Sequence, residues 1–176
     1  QTEDELSSCM MAMGAGYAGV RAFTATSGPG LSLMAESISM AAMAEIPVVI
    51  IDVMRAGPST GMATKVEQSD IRYAIASGHG DAEKIVLAAS SIEDCYYITQ
   101  EAFNLAEEFQ TPVIVLSDLQ FGMCKQSVPA FDLNRVGINR GKLLTEGLPE
   151  LDTKKKAYFH RFEDSEDGIS PRTIPG

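Results

Sequence analysis

The chain has 176 residues and a net charge of −10, from 14 Lys and Arg against 24 Asp and Glu, which argues against nucleic acid or an anionic membrane surface as a partner. Its length suits one domain with a substantial apolar core. No apolar run reaches the ~20 residues that span a bilayer, so a cytoplasmic protein is expected. The three cysteines, at 9, 95 and 124, are odd in number and far apart, so they predict neither a disulfide framework nor a metal site on this chain.

The first predicted element is a helix. A capping box begins it, with Thr2 as the N-cap and Glu5 as the acid that reaches back. An apolar stripe at helical spacing follows and is expected to pack on a sheet: Leu6, Met10, Met13 and Tyr17. Glycines at 14, 16 and 19 match G-x-G-x-x-G, but they end a helix instead of following a strand. The pattern therefore favours helix termination and close packing over a dinucleotide site.

A strand, a glycine-rich turn and a second helix come next. Residues 22–26 are a predicted strand, and Ser-Gly-Pro-Gly at 27–30 forms the turn. Apolar residues then recur at helical spacing: Leu31, Met34, Ile38 and Ala41. Such a turn lies at the carboxyl edge of a sheet, where open α/β folds bind their ligands. We therefore expect the chemistry at this edge.

Three further strands continue the alternation of strand and helix. They are predicted at residues 47–53, 85–88 and 112–117, with a long amphipathic helix at 92–109 before the last. This order predicts right-handed crossovers and an α/β fold with a parallel sheet flanked by helices. The loop Arg-Ala-Gly-Pro-Ser-Thr-Gly at 55–61 follows the second of these four strands, so it is also expected near the ligand.

The pattern weakens after about Phe121. We predict an α/β domain over residues 1–125, with an N-terminal segment missing, and an irregular arm over 126–176. The arm would lead toward a further domain or pack on one, and it contains a basic run at Lys154 to Lys156. Gln1 in place of an initiator Met favours a start inside a longer gene product.

Two charged residues are candidates for chemistry. Glu3 is not needed for the capping box, so it is either a solvated carboxylate beside a helix dipole or a functional acid. Arg55 is either a surface charge or an anion clamp whose fork suits carboxylates. The spacing of the residues leaves both alternatives open.

Several segments identify a family. They are Gln-Thr-Glu-Asp-Glu at 1–5, Thr-Ala-Thr-Ser-Gly-Pro-Gly-Leu-Ser-Leu-Met at 24–34, the loop at 55–61 with Thr-Lys-Val-Glu-Gln-Ser-Asp at 64–70, and Glu-Asp-Gly-Ile-Ser-Pro-Arg at 166–172. In this order they resemble the alpha subunit of 2-oxoacid:ferredoxin oxidoreductases, especially the 2-oxoglutarate type. The resemblance covers nearly the whole chain.

The resemblance implies the pyrimidine-binding domain of a thiamin diphosphate enzyme, with a six-stranded parallel sheet. Thiamin diphosphate would be shared with a beta subunit, which would hold the diphosphate, Mg²⁺ and an iron–sulfur cluster. The other expected partners are ferredoxin, a 2-oxoacid and coenzyme A. The chain would be inactive by itself, because it has neither the Gly-Asp-Gly and Asn signature for the metal and diphosphate nor cluster ligands.

The resemblance also assigns roles to residues. Glu3 takes the position of the glutamate that hydrogen-bonds N1′ of the aminopyrimidine, and an apolar subunit interface would keep its carboxyl partly protonated near neutral pH. Ser27 and Gly28 would border the pyrimidine pocket, and Arg55 would contact the substrate carboxylate. The family's Tyr-Pro-Ile-Thr-Pro segment, whose threonine helps hold the substrate, is not in this sequence.

The leading hypothesis is therefore that the chain is part of an alpha subunit of an oxidoreductase. The enzyme would catalyse the coenzyme A-dependent oxidative decarboxylation of a 2-oxoacid and pass the electrons to ferredoxin. The substrate favoured by the loop at 55–61 is 2-oxoglutarate, with pyruvate and branched-chain 2-oxoacids as alternatives. A non-catalytic scaffold of the same fold that binds a partner subunit is a second hypothesis. A generic nucleotide-binding domain is a third, and the reversed glycine motif argues against it.

Overall fold

A computed structural model describes residues 1–147 and 158–175 of the chain. The basic run Lys154 to Lys156 lies outside the described residues. Helices cover both faces of a parallel sheet, which confirms the predicted α/β fold. Within these two ranges, no helix combines the length and the apolar character that a membrane crossing requires.

The central sheet is built from four strands: β1 (Phe23–Thr26), β2 (Val48–Met54), β3 (Ile85–Ala88) and β4 (Pro112–Asp118). They are all parallel and run in the order β1-β2-β4-β3, so β2 and β4 are central. Each strand lies within one residue of its predicted bounds. The described residues thus supply four of the six sheet strands that the resemblance implies.

Six helices accompany these strands in the described ranges: α1 (Glu5–Tyr17), α2 (Pro29–Leu33), α3 (Ala35–Met43), α4 (Ile71–Ala76), α5 (Ile92–Phe109) and α6 (Leu119–Met123). One face of the sheet packs against α1 to α4 through a core that includes Met13, Leu31 and Ile38. The other face packs against α5 through Val49, Val113 and Ala102, among others. Because both faces are covered, β2 and β4 are almost continuous apolar runs.

The start of α1 differs from the prediction. Asp4 is the N-cap, and its side chain accepts a hydrogen bond of 2.9 Å from the backbone N–H of Ser7. The predicted capping box with Thr2 is therefore wrong. Both Thr2 and Asp4 are good N-cap residues, and the backbone of Asp4 takes the extended conformation that this position requires. Glu5 becomes the first helical residue, and Glu3 lies outside the helix.

The buried face of α1 also differs from the predicted stripe. Met13 is buried as expected, but Leu6, Met10 and Tyr17 are 44%, 43% and 56% exposed. The residues that face the sheet are smaller: Cys9, Ala12, Met13 and Gly16. A Cβ at Gly16 would lie 2.2 Å from the carbonyl oxygen of Pro47. Close backbone packing at Gly16 thus sets the orientation of the helix, and three large apolar side chains face outward.

The helix after the turn is divided in two. Met34 separates α2 from α3 as the C-cap of one and the N-cap of the other. The apolar positions predicted for this segment are nevertheless all buried, at 1% exposure or less: Leu31, Met34, Ile38 and Ala41. The periodicity therefore identified the buried side chains correctly, although the helix is not continuous.

The C-terminal part of the chain contacts the α/β unit through a buried carboxylate. Glu107 on α5 forms ion pairs with Arg21 at 2.6 Å, Arg140 at 2.9 Å and Arg172 at 2.8 Å. Two short parallel strands, β5 (Leu143–Leu144) and β6 (Arg172–Thr173), form a second sheet. The division into residues 1–125 and 126–176 stays a prediction.

Candidate functional site

The turn between β1 and α2 is fixed to the neighbouring strand. The Ser27 hydroxyl donates a hydrogen bond of 2.7 Å to the backbone oxygen of Val53 on β2. Gly28 has a φ of +60°, a conformation that a residue with a Cβ adopts at a cost. The turn therefore lies at the carboxyl ends of β1 and β2, as the sequence predicts.

Gly30 brings this turn against the start of α1. A Cβ at Gly30 would lie 2.0 Å from Thr26 Oγ1 and 2.9 Å from Glu5 Oε1. No larger residue fits in that space without movement of its neighbours. Thr26 Oγ1 is itself buried and has no hydrogen-bond partner among the described residues. The half-buried Glu5 carboxylate and an unpaired hydroxyl thus lie side by side under the turn.

Arg55 reaches the same place from the loop after β2. An ideal Cβ at Gly28 would lie 3.5 Å from Arg55 Nε, so the guanidinium lies over the turn. The backbone of Arg55 is held by the Ser69 hydroxyl, which donates to its carbonyl oxygen at 2.7 Å. Arg55 Nε is buried, and within the described part of the chain it has no hydrogen-bond partner. The backbone that carries Arg55 is therefore held in place, and its guanidinium Nε has a donor that no described residue uses.

A cleft of about 530 Å³ opens between these elements. The lining residues include Gly28, Pro29, Ser32, Arg55, Ser59 and Asp70. Gly28 and Arg55, two of the residues that the resemblance assigns to the site, therefore share one cleft. Ser27 lies beside it, with its hydroxyl engaged by β2.

Glu3 is not brought into this group. It is exposed, it precedes the N-cap of α1, and no hydrogen bond or ion pair of its side chain occurs within the described residues. Glu5, assigned to the capping box by the sequence, is the acidic residue beside the turn. The signal that could have shown this was the alternative N-cap at Asp4, which makes Glu5 the first helical residue.

Two further carboxyls near the turn were missed by the sequence prediction. Asp52 interrupts the apolar run of β2 and is fully buried, and Asp70 precedes α4. Burial raises the pKa of Asp52 to about 7, and the charge of Asp70 adds to this increase. Burial also raises the pKa of Asp70, against the lowering effects of Ser69 and Arg55. An aspartate inside an otherwise apolar central strand was the available signal.

The geometry suits an anionic or polar ligand at the carboxyl edge of the sheet. Arg55 can bind a carboxylate through two parallel hydrogen bonds, and Glu5 can exchange a proton with a ring nitrogen. The turn offers close backbone approach because Gly28 lacks a side chain. These groups define the candidate site.

Comparison with known proteins identifies relatives of this chain. A family model described as pyruvate flavodoxin/ferredoxin oxidoreductase, thiamine diphosphate-binding, matches residues 1–160. The alpha subunit of 2-oxoacid:ferredoxin oxidoreductase 2 from Aeropyrum pernix is 52% identical over 178 aligned residues, which cover 100% of this chain and 26% of that protein. The 2-oxoglutarate synthase subunit KorA from Archaeoglobus fulgidus is 49% identical, with 84% of this chain and 43% of that protein covered.

A solved structure is similar over the whole chain. It is the 2-oxoglutarate:ferredoxin oxidoreductase from Magnetococcus marinus with 2-oxoglutarate, coenzyme A and succinyl-CoA bound. The TM-score is 0.90 at 44% sequence identity, and the match covers 100% of this chain and 29% of the other. The present chain thus spans between about a quarter and less than half of the length of these relatives.

Proposed function

Because the chain belongs to the pyruvate flavodoxin/ferredoxin oxidoreductase family, in its thiamine diphosphate-binding domain, we propose that it is the pyrimidine-binding part of a 2-oxoacid:ferredoxin oxidoreductase alpha subunit. The complete enzyme would decarboxylate a 2-oxoacid oxidatively, transfer the acyl group to coenzyme A and pass electrons to ferredoxin. The observation that carries the proposal is the convergence of Glu5, the Gly28 to Gly30 turn and Arg55 at one sheet edge.

The residues at this edge fit the aminopyrimidine end of the cofactor. Gly28 leaves its backbone open, and Thr26 Oγ1 and Arg55 Nε are buried polar atoms without partners in the described ranges. Thiamin diphosphate, when bound, supplies the nucleophilic carbon at which 2-oxoacids lose carbon dioxide. The chain's part would be to hold the ring against the turn and to exchange a proton with it.

We propose Glu5 as the acid for that proton exchange, in place of the Glu3 that the resemblance gave. The support is contact: Glu5 Oε1 lies beside Gly30 and Thr26, whereas Glu3 is exposed and outside the helix. A general acid must lie within hydrogen-bond reach of its target, so position comes before acidity in this choice. A covering subunit would also have to exclude water from this carboxyl.

Arg55 is the proposed contact of the substrate carboxylate. Arg55 lines the cleft, and its backbone is held by the Ser69 hydroxyl. Arg suits this task better than Lys because its planar fork makes two parallel hydrogen bonds with one carboxylate. Binding there would orient the 2-oxoacid carbonyl toward the cofactor.

The partner would be a beta subunit that carries the diphosphate-binding domain, Mg²⁺ and an iron–sulfur cluster. Exposed apolar side chains on α1 support the proposal that the partner covers a surface close to Glu5. Leu6 and Met10 are 44% and 43% exposed, and Met11 is 64% exposed. The assembled complex would act in the cytoplasm. Ferredoxin would be the electron acceptor.

The proposed substrate is 2-oxoglutarate. Two of the three relatives above have names that specify 2-oxoglutarate, and the third is named for 2-oxoacids in general. Pyruvate or a branched-chain 2-oxoacid is the alternative within the same chemistry, and Arg55 suits the carboxylate that all of them share. The alternative without catalytic chemistry is a scaffold subunit that binds a partner.

The test uses the complete complex with single variants at each acid. Glu5→Gln should lower kcat by about 100-fold or more, since a positioned acid-base group typically contributes roughly 100- to 10,000-fold, and it should leave assembly intact. Glu3→Gln is the matched control, because it removes the same charge two residues away. Turnover is measured by ferredoxin reduction with 2-oxoglutarate, pyruvate and 2-oxoisovalerate in parallel.

The possible outcomes separate the assignments. A large loss with Glu3→Gln and none with Glu5→Gln would return the role to Glu3. Full activity in both variants would contradict a proton-exchanging acid at either position. An assembled complex that turns over none of the three acids would favour the scaffold.

A further inference from the structure

The peptide unit that follows Arg55 is held on both sides by one short segment. Strand β2 ends at Met54, so Arg55 is the first residue beyond it. The carbonyl oxygen of Arg55 accepts a hydrogen bond of 2.7 Å from the Ser69 hydroxyl. The next backbone N–H, that of Ala56, donates a hydrogen bond of 2.8 Å to the carbonyl oxygen of Lys65. Because both groups belong to one peptide plane, the two bonds restrict its rotation, and with it the direction in which the Arg55 side chain leaves the backbone.

Residues 65–69, called the clamp below, are themselves tied to the sheet by Gln68. Its side-chain Nε2 donates a hydrogen bond of 3.1 Å to Asp118 Oδ2 at the end of β4. Asp118 is buried and pairs with Met54 in the β2–β4 register. Its Oδ1 accepts a hydrogen bond of 3.1 Å from the backbone N–H of Phe121. A chain of contacts therefore runs from the end of β4 through the clamp to the backbone beside the cleft.

Gln68 is set apart from the cleft that the proposed site occupies. Its neighbours Glu67, Ser69 and Asp70 line that cleft. Gln68 instead lines a separate cavity of about 300 Å³ beside α4 and β3. An uncharged substitution at Gln68 can therefore affect a ligand in the cleft only through the clamp.

We propose that Gln68 is a positioning residue that, through the clamp, holds Arg55 where its guanidinium can bind the substrate carboxylate. Two parallel hydrogen bonds between a guanidinium and a carboxylate need both groups in one plane, so a small rotation of the backbone weakens at least one of them. Misplacement by about 1 Å is enough for a large loss in such sites. This inference rests on the proposed function, because it assumes that Arg55 binds a carboxylate.

Steady-state kinetics of the complete complex test the proposal. The varied substrate is the acid that the wild type turns over best among 2-oxoglutarate, pyruvate and 2-oxoisovalerate. Gln68→Ala removes the hydrogen bond to Asp118 without adding charge. It should raise KM about tenfold, the effect of losing one charge-assisted hydrogen bond, and change kcat by less than about twofold. A general loss of folded protein would instead lower kcat and leave KM unchanged.

A charged variant and its rescue sharpen the design. Gln68→Glu sets two carboxylates against each other and should raise KM further than Gln68→Ala. When Asp118→Asn is added to Gln68→Glu, the asparagine can donate to the glutamate, and the reversed bond should return KM to within about threefold of the wild type. Asparagine is also a competent N-cap, so α6 keeps the hydrogen bond from Phe121 that begins it.

Two single variants serve as controls. Gln120→Glu makes the same change in charge at an exposed position of α6, and its KM should equal that of the wild type. Arg55→Lys is the reference for the site itself, and it should raise KM because lysine cannot form the two parallel hydrogen bonds.

The outcomes separate the positioning role from the proposed function. A raised KM in Arg55→Lys with a wild-type KM in both Gln68 variants would overturn the positioning role alone. An equal rise in Gln68→Glu and Gln120→Glu, with none in Gln68→Ala, would also overturn it, because charge would then be the cause. A wild-type KM in Arg55→Lys would overturn the substrate contact of Arg55 and the positioning role with it. Absence of turnover of all three acids by the wild-type complex would instead overturn the proposed function.

Discussion

Replacing Gly16 by alanine tests the contact that orients α1. The added Cβ would lie 2.2 Å from the carbonyl oxygen of Pro47 and 3.5 Å from Ile46 Cγ2, so the helix would have to move by about 1 Å. Overpacking of this kind costs about 1–3 kcal/mol, and the higher helix propensity of alanine offsets at most ~1 kcal/mol. Gly16→Ala should therefore destabilise the helix by about 1–2 kcal/mol.

Gly14 provides a matched control on the same helix. A Cβ there would meet nothing within 4 Å, so only the propensity gain of ~0.5–1 kcal/mol remains, and Gly14→Ala should be stabilising. The two variants make the same chemical change two residues apart, and their effects should have opposite signs. The difference between them should be about 2 kcal/mol.

Hydrogen exchange of α1 amides in the assembled complex measures the free energy of local opening for each variant. Slower exchange in Gly14→Ala and faster exchange in Gly16→Ala is the expected pair of results. If both variants slow exchange by similar amounts, α1 does not approach the strand that Pro47 precedes, and the account of the exposed Leu6, Met10 and Tyr17 fails with it.

Two other predictions concern buried carboxyls. Glu107→Gln leaves the buried Arg172 without its charge partner and should destabilise the contact of the C-terminal residues with α5 by about 3 kcal/mol or more, with the exposed Glu101→Gln on the same helix as control. Limited proteolysis of residues 126–176 would detect this, and equal resistance in both variants would contradict it. The raised pKa of Asp52 means that the folded chain holds a proton between pH 3.8 and about 7 that the unfolded chain has released. The resulting contribution to the free energy of unfolding is complete below pH 3.8 and is lost as the pH rises to about 7, at ~1.4 kcal/mol per pH unit. The unfolding midpoint of Asp52→Asn should therefore depend less on pH than that of the wild type. Parallel slopes for the two proteins would refute this.

The strands were predictable because a strand that is buried on both faces of a sheet has an uninterrupted run of apolar residues in the sequence. Val48 to Ile51 and Val113 to Leu116 are uninterrupted apolar runs, and such runs between helices specify central parallel strands. The ends of α5 were equally clear from the amphipathic pattern over residues 92–109, and in the structure Ser91 is its N-cap. Local sequence and tertiary structure agree in these elements.

The orientation of α1 could not be read in the same way. Periodicity favours large apolar side chains as the buried face, but the close approach at Gly16 turns smaller residues toward the sheet. The capping choice between Thr2 and Asp4 has a similar cause, since both are competent and the tertiary position of the helix decides. That choice also determines which acid lies at the turn.

The candidate cleft lies at the sheet edge that the sequence analysis singled out, and it contains two of the residues proposed there. Gly28 and Arg55 share the predicted edge, because strand ends in a parallel sheet meet there. Glu5, Asp52 and Asp70 were not assigned to it, since their roles depend on contacts between separate elements, such as Glu5 with Gly30 and Asp52 with Asp70. The functional assignments of Glu5 and Arg55 stay proposals that the variants above would decide.

The ion pairs around Glu107 lie at the opposite edge of the sheet from the cleft. Arg21 precedes β1, and Glu107 lies near the end of α5, just before β4 begins. The last described residues are thus tied to the amino ends of the strands, on the far side from Arg55. A change in these ion pairs would therefore alter how the C-terminal residues pack on α5 while the loop that carries Arg55 keeps its surroundings.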